Sequence, residues 1–206
     1  MMRKFWFKLL FSSLWIVAFS FPCFAGWIVF SKPEFKGKVI ETETKQPIEG
    51  AVVVAIYKTD SLISGPAGGS SSIINIKEVL TDEKGEFRIT SYTTLMGPNS
   101  AEGLTDFIIY KRGYGNYPGL HSNPPPHVLP ENLFLQEMGT KGEIYQRSFT
   151  YGVVELPRLL TWEERRKASR NSISGHILES EYPLLSKEIA EEQKWLRTNI
   201  NGGKRQ

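Results

Sequence analysis

Ala51-Val52-Val53-Val54-Ala55-Ile56-Tyr57-Lys58 decides the fold class of this chain. An extended backbone sends alternate side chains to opposite faces, so Val52, Val54 and Ile56 share one side and Val53, Ala55 and Tyr57 the other. Both sides are apolar. The stretch therefore predicts a central strand covered on both faces.

Working outward, residues 36–42 (K-G-K-V-I-E-T) predict a preceding strand. In the connection between the two, Pro47 fixes one φ angle and Gly50 supplies a positive one, which shapes a tight reversal before Ala51. Downstream, strands are expected at residues 77–81 and 86–90, joined through Asp82-Glu83-Lys84-Gly85 as a hairpin. In that reading Asp82 opens the turn and Gly85 takes the left-handed conformation. A further strand, Thr105 to Lys111, ends at Arg112-Gly113-Tyr114. Residues 60–72, rich in Gly and Ser, read as a loop. From Gly115 to Gly139 five prolines exclude helix and central strand, and predict an extended surface excursion. A last strand is expected within Ile144 to Leu156, where Tyr145, Phe149, Tyr151 and Val153 share one parity.

Helical signals begin only after these strands. Thr161-Trp162-Glu163-Glu164 forms a capping box that predicts a short helix to about Ser169. Pro183 suits a first helical turn, and a second helix is expected from there to about Thr198, with Leu185, Ile189 and Leu196 on one stripe. The fold class is thus mainly β, a β-sandwich over residues 35–157 with a short helical C-terminal extension over residues 158–206.

The 206 residues suffice for one domain with its own core. Arg3, Lys4 and Lys8 precede an uncharged apolar run broken by Pro22, and Cys23-Phe24-Ala25 offers small residues where a signal peptidase reads them. Residues 1–25 are read as a secretory signal peptide, which directs the chain to the periplasm or the extracellular space. An uncleaved anchor reaching to about residue 31 is the alternative. Removing those three cations from the 25 basic residues leaves 22 against 22 acidic ones. A formally neutral mature chain gives no basis for a nucleic-acid partner. The single cysteine, Cys23, leaves with the leader, and with it any disulfide, thiolate nucleophile or sulfur metal ligand.

Three pieces in order, Pro47-Ile48-Glu49-Gly50-Ala51, Thr81-Asp82 to Gly85-Glu86-Phe87, and Lys111 to Tyr114, resemble the carboxypeptidase regulatory-like domain. That family is the transthyretin-like (prealbumin-like) β-sandwich appended to some carboxypeptidases and found in many exported bacterial proteins. The resemblance spans about residues 35–118, and its motifs specify a fold more than a chemistry. It implies a non-catalytic accessory or spacer role, because peptidase activity in two-domain members lies in a separate domain. Pro47, Gly50, Asp82, Gly85 and Gly113 are then structural turn residues.

His176 and Glu179 have the H-x-x-E form by which zinc carboxypeptidases supply two ligands, but no histidine follows to complete a site. Some intradiol dioxygenases with a related sandwich bind iron through two tyrosines and two histidines. Tyr110, Tyr114, Tyr117, His121 and His127 offer the residue types, yet three consecutive prolines hold the two histidines apart. Ser70 to Ser72 lack a nucleophile elbow, and Gly65 to Ser70 lack the Lys and Ser/Thr of a phosphate loop. Neither a catalytic residue nor a metal or cofactor is therefore assigned. Tyr114, Tyr117 and Trp162 remain as candidate ligand-contact rings. The expectation is an exported, non-enzymatic module with a structural or interaction role in the cell envelope. Its partner would be an envelope protein or a glycan, with no membrane insertion once the leader is removed. A carbohydrate- or peptide-binding accessory module is the first alternative and a metal-dependent enzyme the second.

Overall fold

The computed structural model describes residues 29–62, 69–97, 99–119, 133–134, 152–170 and 181–199. The architecture is mainly β, with eight strands in three sheets and two long helices among these residues. The strands are β1 (Val29–Lys32), β2 (Phe35–Glu41), β3 (Val52–Ser61), β4 (Ser71–Leu80), β5 (Glu86–Ile89), β6 (Tyr92–Leu95), β7 (Ser100–Tyr110) and β8 (Val153–Leu156). The helices are α1 (Trp162–Arg170) and α2 (Pro183–Thr198).

One sheet has the order β5-β2-β8 and the other β4-β3-β7, with β1 and β6 pairing as a separate ribbon. The two three-stranded sheets share one core. Phe35, Val39, Phe87, Ile89, Val154 and Leu156 from the first meet Val53, Ala55, Tyr57, Phe107 and Ile109 from the second. Aromatic edges fill the centre, with Phe35 and Phe107 in a T-shaped pair at 5.1 Å between ring centroids.

β3 shows why its sequence is apolar on both faces. Val53, Ala55 and Tyr57 enter the inter-sheet core, while Val52, Val54 and Ile56 join Tyr110, Tyr182 and Leu185 in a second cluster beneath α2. The alternation predicted from sequence is observed, and the outer cover is the chain's own C-terminal helix. The boundaries of α1 and α2 also fall where the capping box and Pro183 place them.

Several expectations change. Asp82 to Gly85 does not close a hairpin: β4 pairs with β3 and β5 pairs with β2, in different sheets. The turn geometry is nonetheless as read, with Gly85 at φ +72° and its amide donating to the Asp82 carbonyl at 2.8 Å. A local signal specifies the reversal, whereas long-range pairing selects each strand's partner. β3 and β4 extend into the Gly/Ser stretch, pairing Thr59 with Ser72 and Asp60 with Ser71 past a bulge. Ladder hydrogen bonds need only backbone, so a polar composition does not prevent them. β7 likewise starts at Ser100, five residues before Thr105.

The sandwich also begins before residue 35. β1 pairs with β6 from Val29↔Leu95 to Lys32↔Tyr92, and Phe30 is fully buried against Tyr57 and Tyr92. Residues 29–31 therefore belong to the folded domain and not to an N-terminal anchor. Both strands are four residues long, too short for periodicity to expose them.

Within the proline-rich stretch, Leu133 and Phe134 are helical and buried, and Phe134 packs on Phe87 and Phe107. This part of the excursion is core and not surface, because the ring fills a gap between the sheets that proline density does not reveal. The last strand is Val153–Leu156, parallel to β2. Tyr145, Phe149 and Tyr151, and residues 1–28 with the leader, lie outside the described residues.

Candidate functional site

The three motif pieces converge on one corner of the sandwich. Thr81 holds it: its hydroxyl donates to the Ile48 carbonyl at 2.6 Å and accepts from the Ala51 amide at 2.8 Å. Its backbone pairs with Gly50 and Ala51, so the P-I-E-G-A turn is locked to the T-D turn. Gly85 closes the third side. Its carbonyl accepts from the Val39 amide, and a Cβ at this position would stand 2.4 Å from the Val39 carbonyl. Asp82 Oδ1 accepts from the amides of Lys84 and Glu86, which fixes the turn. Gly50 takes φ +65° and its carbonyl accepts from Lys111 Nζ at 3.1 Å. Gly113, at φ +82°, turns the chain after β7, and its carbonyl accepts from the Leu159 amide. Pro47 forms an isolated bridge with Ile40. All five expected turn residues thus have an architectural task.

The three candidate rings are spent on packing. Tyr117 is fully buried, bridged to Ile109 by two backbone hydrogen bonds of 2.8 Å. Its phenol lies inside the core without a hydrogen-bond partner among the described residues, and burial pushes it up to about 12. A buried ring cannot be a displayed platform. Tyr114 is half-buried against the same core, and its backbone bridges to Arg158. Trp162 is half-buried, donates its indole N–H to the Leu196 carbonyl at 3.0 Å and carries the Arg166 guanidinium over its ring at 5.2 Å. It fastens α1 to α2. The reason that sequence suggested otherwise is local: Gly and Pro neighbours signal a loop but not whether the intervening ring turns inward.

By sequence the run Glu163-Glu164-Arg165-Arg166-Lys167 reads as a solvated helix face, and the structure corrects this at Arg165. Arg165 on α1 reaches Glu192 on α2 with Nε and Nη2, one edge of its guanidinium, the Nε contact being 2.7 Å, and Glu192 is only 3% exposed. A buried carboxylate needs such a bidentate partner. The same guanidinium lies over the Trp195 ring at 3.5 Å from its centroid. Tyr110, beneath, is pushed well above the usual phenol range by burial, with Glu192 and Glu188 adding to the shift. The capping box holds α1 in place for this contact: Thr161 Oγ1 accepts from the Glu164 amide, and Glu164 accepts from the amides of Leu160 and Thr161. Those bonds to Thr161 hold the Glu164 carboxyl below its usual range. The missed signal was the spacing of Glu188, Glu191, Glu192 and Trp195, one helical face carrying acids and an indole.

Next to this cluster lies a pocket of about 380 Å³ lined by Arg112, Glu191, Lys194, Trp195, Thr198 and Asn199. Arg112 and Glu191 pair at 2.7 Å on its wall. A second, larger groove of about 790 Å³ runs over β2 and β5, between Lys36, Lys38 and Arg88 at its rim and Phe87, Leu133 and Phe134 below.

Among the described residues no group of three or more His, Cys, Asp or Glu side chains could hold a metal, and no helix is long and apolar enough to cross a membrane. His121, His127, His176, Glu179 and Gly65 to Gly68 lie outside the described residues. No protein-family model matches the chain, and neither does any curated protein or solved structure with which it was compared.

Proposed function

We propose that this chain is an exported, non-catalytic β-sandwich module of the transthyretin-like, carboxypeptidase-regulatory type, with a structural or interaction role in the cell envelope. The observation that carries the reading is the corner at Thr81. Three sequence pieces typical of that domain type meet there, and Gly50, Thr81, Asp82, Gly85 and Lys111 join their turns and strands. Chemistry-bearing side chains on the helical cover are likewise paired with one another, as Arg165 is with Glu192. The side chains build a rigid body and leave its surface for contacts, which suits a spacer or adaptor. Export is supported by the basic start and apolar run of residues 1–25.

The test is site-directed photocrosslinking in living cells, with the reactive group at Lys194 on the helical cover or at Glu83 in the Asp82 to Gly85 turn, followed by fractionation. The expected result is one defined adduct in the envelope fraction from one position and not the other. Cytoplasmic protein with the leader retained, or turnover of a substrate by the purified chain, would remove the reading.

A second reading, a glycan- or peptide-binding accessory module, is favoured by one observation. The pocket beside Trp195 combines an aromatic side chain with five hydrogen-bonding ones.

A further inference from the structure

We infer that the pocket formed by Arg112, Glu191, Lys194, Trp195, Thr198 and Asn199 is a subsite for a neutral saccharide unit. This rests on the glycan-binding form of the proposed function and moves the contact ring from Tyr114, Tyr117 and Trp162 to Trp195.

The argument is one of matching chemistry. The pocket holds about 380 Å³, within the range of small-ligand sites, and Trp195 is half-buried at its wall. The indole is held in place: Arg165 stacks on it, and Arg165 is itself fixed by the buried Glu192. A rigid aromatic side chain is a surface on which the C–H face of a pyranose can lie at little entropic cost.

Around the ring the polar groups include both donors and acceptors. Arg112 and Lys194 donate, Glu191 and the Thr198 oxygen accept, and Asn199 keeps one amide N–H and its carbonyl oxygen. The terminal carbonyls of α2 add little, because those of Lys194, Trp195 and Leu196 already accept from Thr198, Asn199 and Trp162. Hydroxyls, which donate and accept, suit such a mixed wall.

Charge decides against the other ligand classes. Two cations face one carboxylate, and the C-terminal end of α2 contributes about half a negative charge, so the pocket is nearly balanced. An anion would approach Glu191 and the negative helix end. A cation would meet Arg112, Lys194 and the guanidinium stacked on Trp195. An apolar ligand would strip water from five hydrogen-bonding side chains without replacing it. A neutral polyol with an apolar ring face meets none of these penalties.

The experiment is calorimetric titration of the full-length exported protein with maltotriose, chitotriose and, as the charged comparison, trigalacturonate, each at low and high salt. One neutral trisaccharide is expected to bind with an affinity insensitive to salt. Trp195→Leu should weaken it about tenfold by removing the stacking surface, and the solvent-exposed Lys194→Ala should weaken it severalfold with an unchanged melting temperature. Because Trp195 also supports Arg165, Lys194→Ala keeps the test valid if Trp195→Leu loses its fold. Failure of both neutral trisaccharides to bind, affinity unaltered by Lys194→Ala, or salt-dependent preference for trigalacturonate would each overturn the assignment. Binding of trigalacturonate alone would leave the glycan-binding reading standing without this neutral subsite, and the envelope crosslinking tests the structural reading separately.

Discussion

The carboxylate of Glu78, on β4, caps α2 from across 107 residues of sequence, accepting from the amide of Leu185 at 2.9 Å and from that of Leu184 at 2.9 Å. Helix N-termini carry unpaired amides and a partial positive charge, and both are met here by one side chain. Tyr182, at the N-cap position, makes no side-chain capping bond to the helix. Leu185 is fully buried on Val52, Val54 and Ile56, so the same residue joins helix to sheet through its backbone and its side chain.

Glu78→Ala should therefore lower stability by about 1–2 kcal/mol, in the range of a lost charged cap. Glu78→Gln should recover part of it, since the amide oxygen still accepts one bond. Thermal denaturation measures the loss, and hydrogen exchange should show faster exchange at the Leu184 and Leu185 amides with the sheet unaffected. A loss spread evenly over all amides would indicate that Glu78 does not act as a local cap.

Gly85→Val is expected to be far more damaging than Gly69→Val. The left-handed conformation alone costs a β-branched residue about 1–2 kcal/mol. A Cβ would also strike the Val39 carbonyl, a backbone atom held by its own strand, and approach Pro47 and Ile48. Gly69 is exposed. Equal melting temperatures for the two variants would contradict the packing described at this corner.

Alkaline titration should show both Tyr110 and Tyr117 ionising late, with Tyr117 the first of the two. Its folded-state value of about 12 lies above the ordinary phenol value of 10, so its contribution to stability is complete below about pH 10 and is lost as pH rises from 10 to 12. Tyrosinate absorbance from this residue should thus appear late, together with unfolding. Tyr117→Phe should remove that part of the alkaline loss and raise stability at neutral pH by about 1 kcal/mol, because the buried hydroxyl has no hydrogen-bond partner among the described residues. A destabilised Phe variant would show that the hydroxyl is bonded in solution.

Truncation after Arg158 should leave a folded but self-associating sandwich. The inter-sheet core needs nothing from α1 or α2, whereas Val52, Val54, Ile56 and Tyr110 lose the cover of Tyr182 and Leu185. Circular dichroism should retain a cooperative β-type transition while size-exclusion chromatography shows oligomers, as an uncovered apolar sheet face requires. A peptide of residues 183–206 should be largely unstructured, since a 16-residue helix is marginal in water without its packing surface. A monomeric truncated protein would mean that the helical cover adds little to burial.

Much of this fold was legible because its determinants are local. Val52 to Tyr57 announce a strand buried on both faces, Thr161 and Glu164 announce a helix start, and Gly50 and Gly85 announce positive φ angles, all of which depend on a few consecutive residues. The candidate site was far less legible. Tyr117 and Trp162 looked available in sequence, yet one points into the core and the other bonds to a helix 34 residues on, while Trp195 gained its setting from Arg165.

Sequence by itself determined the secondary-structure types, the positions of the turns and the two apolar faces of β3, because sterics, capping and alternation act over a handful of bonds. Only the tertiary structure decided that β4 and β5 part into different sheets and that β1 joins the sandwich. It alone decided that α2 and Glu78 close the outer face. Those outcomes depend on which distant groups bury one another, and burial is a property of the whole assembled chain that no short window of sequence contains.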